Sequence, residues 1–301
     1  MTEALRSAAE AARREALALL EKGEFSPALA AYDRALEAAN ATNDPAFVDW
    51  MFVCRAAAAA EVGPADKELV ELKRILLRTR DEQTAFRAAY STAWVYEQKK
   101  DRAKAMFYAR LAQRHAAAIG DVRLVSSCEN QLGDILAADS RFEEAAEAYR
   151  GALSRTKAEA PLFSIARAQW TDNLGYCLLS LDRVPEGLAL VHDALDTLER
   201  EDARGFTVYP LMDLCFGYLK SNRFAEARWF GEEGLARVAA ASDLPAEKNL
   251  FYLLGETCHL AGDDGAARGY FDRLASLYPE FRNLRAYLEV FDFRNVINLR
   301  S

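Results

Sequence analysis

The stretch Leu253–Pro279, LLGETCHLAGDDGAARGYFDRLASLYP, decides the fold. Leu254 and Gly255 lie in a run with helical spacing. Gly262-Asp263-Asp264 interrupts it, and Ala267, Phe271 and Leu274 then follow at intervals of four and three before Pro279. Such intervals put side chains on one face of an α-helix, whereas a strand would alternate every second residue. The stretch reads as a helix, a tight turn and a second helix.

The pattern recurs upstream. Small residues early in each second helix serve as anchors: Ala28, Ala105, Ala145, Gly187, Ala227 and Ala267, with successive gaps of 77, 40, 42, 40 and 40. The first gap is nearly two periods, and its two segments Asp44–Gly63 and Pro64–Arg80 predict a degenerate extra copy. Twelve residues before the anchors stand Ala16, Ala93, Gly133, Gly175, Cys215 and Gly255, all small. Seven after stand Ala35, Ala112, Ala152, Ala194, Gly234 and Leu274. Two antiparallel helices approach closely only where side chains are small, and a larger residue one turn away fills the gap. A repeat of this length predicts an all-α solenoid in which each unit buries its apolar face against its neighbours.

Prolines mark the boundaries. Ser26-Pro27 and Asp44-Pro45 read as N-caps followed by proline in the first turn, and Pro161, Pro185 and Pro245 as helix starts. Gly63-Pro64 reads as a break. Pro210 falls where a first helix should already be running, so that helix starts late or bends.

These strings resemble the tetratricopeptide repeat. The best matches are Asn130–Leu153, Asp172–Leu195 and Leu253–Pro279, and the resemblance spans about residues 9 to 279. The period near 40 exceeds the usual 34 of that family, as in its longer-repeat members: peptide-sensing bacterial regulators, kinesin light chains and cell-polarity adaptors. The resemblance implies a right-handed superhelix of about seven helix-turn-helix repeats over residues 1–280. Residues 281–301 then form a capping helix and tail, with Leu284, Tyr287, Leu288 and Phe291 at helical spacing. The last ten residues before Ser301, FDFRNVINLR, are apolar for a tail and fit either packing back onto the stack or self-association.

In such arrays the first helices line a groove that binds a peptide or helix of a partner protein. Projected from the anchors, the groove positions here are Tyr90, Trp94, Asn130, Asp134, Asp172, Tyr176, Met212, Phe216, Tyr252 and Glu256. Rigid aromatics with interspersed polar groups suit peptide recognition. The chaperone-binding members hold a carboxylate with cationic groups; Tyr90, Trp94, Gln131, Gln169 and Asn173 stand in those places, so that clamp is not expected. An aromatic, acidic groove suits an apolar segment carrying basic residues.

The remaining sequence points away from chemistry. Only His115, His192 and His259 are present, and Cys258-His259 are adjacent on one helix, so their side chains diverge. No spacing resembles a metal site or a phosphate loop, so neither metal nor cofactor is expected. A net charge of -8 argues against nucleic acid as partner. The five cysteines lack short spacings and read as free buried thiols of a reducing compartment. With no long apolar run, no membrane partner and a cytoplasmic location are expected. The expected function is a non-enzymatic scaffold or adaptor. A peptide-sensing regulator and a structural or regulatory subunit of a larger complex are the alternatives.

Overall fold

A computed structural model describes residues 2–63, 65–157, 162–241 and 243–301. Pro64 and Pro161 lie outside the described residues. Among the described residues, fifteen α-helices follow one another and no strand occurs. The chain forms two compact units, Met1–Asp139 with Arg150–Phe163, and Ser140–Tyr149 with Ser164–Ser301.

The first unit contains α1 (Thr2–Glu21), α2 (Phe25–Asn40), α3 (Pro45–Val62), α4 (Asp66–Arg78), α5 (Glu82–Gln98), α6 (Arg102–Ile119) and α7 (Val122–Ala138). Helices α3 and α4 are the two helices expected of the degenerate copy. Helix α8 (Phe142–Arg155) carries residues of both units. The second unit continues with α9 (Ser164–Ser180), α10 (Val184–Arg200), α11 (Val208–Lys220), α12 (Phe224–Ala241), α13 (Leu244–Leu260), α14 (Asp264–Ser276) and α15 (Leu284–Leu288). Within each unit, neighbouring helices pack in chain order, as α1 on α2, α5 on α6, α9 on α10, α11 on α12 and α13 on α14.

The helix starts follow from local chemistry. The Asp44 carboxylate accepts from Ala46 N and Phe47 N, with Pro45 at the first helical position. Asp81, Asp121, Asp243 and Asp263 cap α5, α7, α13 and α14 in the same way, satisfying backbone donors that a helix leaves unpaired. Ser26 does not cap α2, contrary to expectation. Helix α2 begins at Phe25, because left-handed Gly23 (φ 75°) turns the chain one step earlier and the Glu24 carbonyl already accepts from Ala28 N. Helix α11 starts late, after a 3-10 turn at Arg204–Phe206, with Pro210 in its first turn.

One backbone feature repeats with the anchors. Five residues before each stand Gly23, Lys100, Ser140, Asp182, Asn222 and Gly262, all at φ between 57° and 82°. In five of these turns the next residue's N–H donates to the carbonyl five residues back, as in Asp263 N to Cys258 O at 2.9 Å, closing the end of the first helix.

The small residues act as the spacing predicts. A Cβ at Gly175 would lie 2.6 Å from Val191 Cγ2 and 3.1 Å from the Gly187 carbonyl; one at Gly187 would lie 2.7 Å from Leu179 Cγ. At Gly255 it would enter the Phe271 ring. The core of the second unit, around Leu211, Leu214, Leu250 and Phe271, is continuous. The first unit has smaller alanine-rich clusters.

Candidate functional site

Helix α15 packs on α14 and buries Leu288, as a cap would, but it is only five residues long. Phe291 lies beyond it, so the expected helical run stops short. The chain then leaves helical geometry and crosses the first helices of three successive repeats, α13, α11 and α9.

At α13, the Phe293 ring meets the Tyr252 ring edge-on at 6.5 Å, and the protonated Glu256 carboxyl donates to Asp292. At the end of α11, Arg294 Nη1 donates to Asn222 Oδ1 at 2.8 Å and reaches the Leu219 carbonyl. A cation there meets the carbonyls and partial negative charge of the helix terminus. At α9, the Tyr176 hydroxyl donates to Asn298 Oδ1 and accepts from Leu299 N, both at 2.9 Å. Asn298 Nδ2 also donates to Ser140 Oγ. From α13, Asn249 Nδ2 donates to the Leu299 carbonyl at 2.9 Å. Leu299 is buried. Both main-chain polar groups of Leu299 are thus held by side chains, as an extended peptide requires once it leaves water.

Arg300 closes the arrangement. Its Nη2 lies 2.5 Å from Asp213 Oδ2 and 4.0 Å from Asp172 Oδ2, and its guanidinium sits 4.3 Å from the Tyr176 ring centre and 5.0 Å from that of Tyr209. Asp213 is fully buried and Asp172 nearly so. Burial pushes the Asp213 carboxyl up to about 6, against the lowering effect of Arg300. Burial and the neighbouring Asp213 raise the Asp172 carboxyl well above its ordinary value, against the lowering effect of Arg300. Burial opposes the charge on Arg300, but Asp213, Asp172 and the two tyrosines outweigh it and raise its pKa. Glu256 is pushed to about 7 by burial and by Asp292. Burial likewise raises Tyr176 to about 12, so its hydroxyl keeps its proton. Asp172 Oδ1, Asp213 Oδ1 and Arg300 Nη1 have no hydrogen-bond partner among the described residues. An open cleft of about 380 Å³ runs beside the segment, lined by Tyr252, Tyr278, Phe281, Phe293 and Ile297 among others.

The projected groove positions divide sharply. Asp172, Tyr176, Tyr252 and Glu256 meet the closing segment. Met212 and Phe216 are fully buried and belong to the core of the second unit rather than to an open surface. In the first unit, Tyr90 packs near Phe86, and the indole of Trp94 donates to the Ala60 carbonyl of α3 at 3.3 Å. Asn130 donates to Asp134 at 2.8 Å; all four are half-buried.

Projection missed Tyr209, Asp213 and Asn249. Tyr209 and Asn249 stand 18 residues before their anchors, one turn ahead of Met212 and Tyr252, which stand 15 before the same anchors. Continuing the helical stripe by one turn would find them. Asp213 stands one residue beyond Met212, where α11 presents a neighbouring position.

All five cysteines are free and buried; burial pushes the Cys128 thiol up to about 12. Among the described residues, no His, Cys, Asp and Glu side chains are grouped to hold a metal ion, and no helix is long and apolar enough to cross a membrane.

No family model and no curated protein matches the sequence. Solved structures do share the fold. NprR in complex with its cognate peptide NprX is 11% identical with a TM-score of 0.66, over 93% of this chain and 81% of that one. A Rap protein complexed with competence and sporulation factor is 16% identical with a TM-score of 0.58, over 100% and 98%. A kinesin light chain repeat structure from Podosopora anserina is 14% identical with a TM-score of 0.51, over 68% and 100%. The fold is that of the tetratricopeptide-like helical repeat proteins.

Proposed function

We propose that this tetratricopeptide-like chain is a protein-interaction module without chemistry of its own, acting as a scaffold or adaptor. It binds an extended peptide segment of a partner protein on the first helices of its second unit. One observation carries this reading: residues 292–301 of the chain already lie there as a peptide would. Tyr176 and Asn249 hold the main chain of Leu299, while Asp213 and Asp172 hold a side chain. Contacts to the main chain accept any residue at that position, and contacts to side chains select the sequence. Selection of a random peptide library on the whole protein tests the proposal. A sequence family should enrich on the wild type and be lost on the Tyr176→Phe/Asn249→Ala variant. Equal enrichment on both proteins counts against this face.

A second reading, a peptide-sensing regulator, draws support from the solved structures of similar fold that hold a cognate peptide or a competence and sporulation factor. It shares the same binding step and differs in what binding changes.

A further inference from the structure

Residues 292–301 fill the face on which a partner would dock. We propose that this segment is an internal occupant, displaced in use by a partner-protein segment whose arginine takes the place of Arg300 between Asp172 and Asp213. The proposal rests on the peptide-binding reading above.

The chemistry of the pocket specifies the occupant. A guanidinium meets carboxylates in a planar fork and stacks on aromatic rings, whereas a lysine ammonium does neither as well. Here the guanidinium lies against the Tyr176 and Tyr209 rings while meeting Asp213. A neutral residue there would leave two buried carboxylates without a counter-charge, an arrangement strongly penalised in a buried site. The preceding positions add to the pattern. Asn298 Oδ1 accepts from both the Tyr176 hydroxyl and Arg300 N at 2.9 Å, fixing the bend that aims the arginine inward. Leu299 enters the core of the unit. The displacing segment therefore reads as an amide residue, an apolar residue and an arginine in succession.

Two features make the internal occupant replaceable. The site holds two carboxylates against one guanidinium, with one oxygen of each left unpartnered. A ligand that brings another donor to Asp172 would satisfy it better. Beyond α15 the segment has no helix, and Val290 and Val296 are both 75% exposed, so its apolar hold on the unit is confined to Phe293, Ile297 and Leu299, which an apolar partner segment would replace.

The test is fluorescence anisotropy with a labelled peptide of sequence VFDFRNVINLRS, matching Val290–Ser301, titrated with the full chain. Wild type should bind it weakly, because its own segment competes. Arg300→Ala should bind at least about 10-fold more tightly, since apparent affinity scales with the fraction of open sites. Asn298→Ala, which loosens the segment without uncovering the carboxylates, should show the same direction; circular dichroism confirms that both variants fold. The peptide with alanine in place of the arginine that matches Arg300, and its other arginine kept, should bind Arg300→Ala at least about 10-fold more weakly than the parent peptide.

If both folded variants bind the parent and alanine peptides equally well, arginine selection is wrong while peptide binding stands. If neither variant binds any peptide, the peptide-binding reading itself fails. Binding by wild type equal to that of both variants would show that the segment is no competitor. Concentration-dependent dimers of wild type that lose peptide binding on dimerising would assign the site to a second copy of the chain and overturn the partner assignment.

Discussion

The first helices of the two units present the same repeat positions with different charge. In the first unit, Arg13 pairs with Glu10 at 2.8 Å, Arg87 stands 18 residues before its anchor, and Asn130 donates to Asp134. In the second, the corresponding stretch carries Asp172, Asp213 and Glu256 beside Tyr176, Tyr209 and Tyr252, and a segment bearing Arg294 and Arg300 lies across it. Backbone spacing is shared by the two units; charge decides what each face holds. Complementary charge selects a partner more than it adds raw affinity.

Breaking the acidic pair should show the contrast most strongly. Asp213→Ala leaves Arg300 short of its nearest counter-charge, and removing one member of a buried pair costs about 3–5 kcal/mol. Hydrogen exchange at the Leu299 amide should rise about 100-fold or more by that reckoning. Asp134→Ala in the first unit, whose Asn130 partner is part-exposed, should change stability by less than about 1 kcal/mol. Similar effects of the two substitutions would erase the distinction.

Packing gives the next largest difference. Gly255→Ala drives a methyl into the Phe271 ring and should cost about 1–3 kcal/mol in denaturant unfolding, as overpacked cores do. Gly151→Ala, whose Cβ would meet only the Glu129 carboxylate at 3.5 Å, should stabilise by up to about 1 kcal/mol through helix propensity.

Tyr176→Phe removes one hydroxyl that serves two hydrogen bonds to the closing segment. It should weaken docking by about 1–2 kcal/mol, read as faster proteolysis within residues 290–301, with the fold unchanged.

The smallest effect is with pH. Glu256 is raised from 4.5 to about 7, so the folded chain holds its proton more tightly than the unfolded chain. That contribution is full below about 4.5 and is lost as pH rises through about 7. Asp213 and Asp172 are shifted in the same direction. His192, which burial lowers from 6.5, opposes the trend only below 6.5. The second unit should melt about 2 °C or more higher at pH 6.5 than at pH 8, and Glu256→Gln should flatten the difference.

Much of the fold was legible because periodic small residues are a local signal with one physical cause, close helix approach. Gly175, Gly187 and Gly255 were identified by offset alone, and each stands where a side chain would collide. The candidate site was half legible. Asp172, Tyr176, Tyr252 and Glu256 follow from the same offsets, whereas α11 turns Met212 inward and presents Asp213. The closing segment was the harder part. FDFRNVINLR has no helical period, and its place depends on pairs such as Arg300 with Asp213, 87 residues apart. Its apolar residues pointed to packing or association without naming the surface, and of them Leu299 is buried while Val296 stays exposed.

The left-handed residue five places before each anchor has a consequence for engineering. Lysine, serine, aspartate, asparagine and glycine all occupy that backbone state, so the joint is specified by geometry more than by residue type. Such joints behave as common connectors. In the second unit, the lengths between Asp182, Asn222 and Gly262 are 40 residues each. Cutting and rejoining there removes or duplicates one whole cassette in phase, so a chain of this kind can be lengthened or shortened by design.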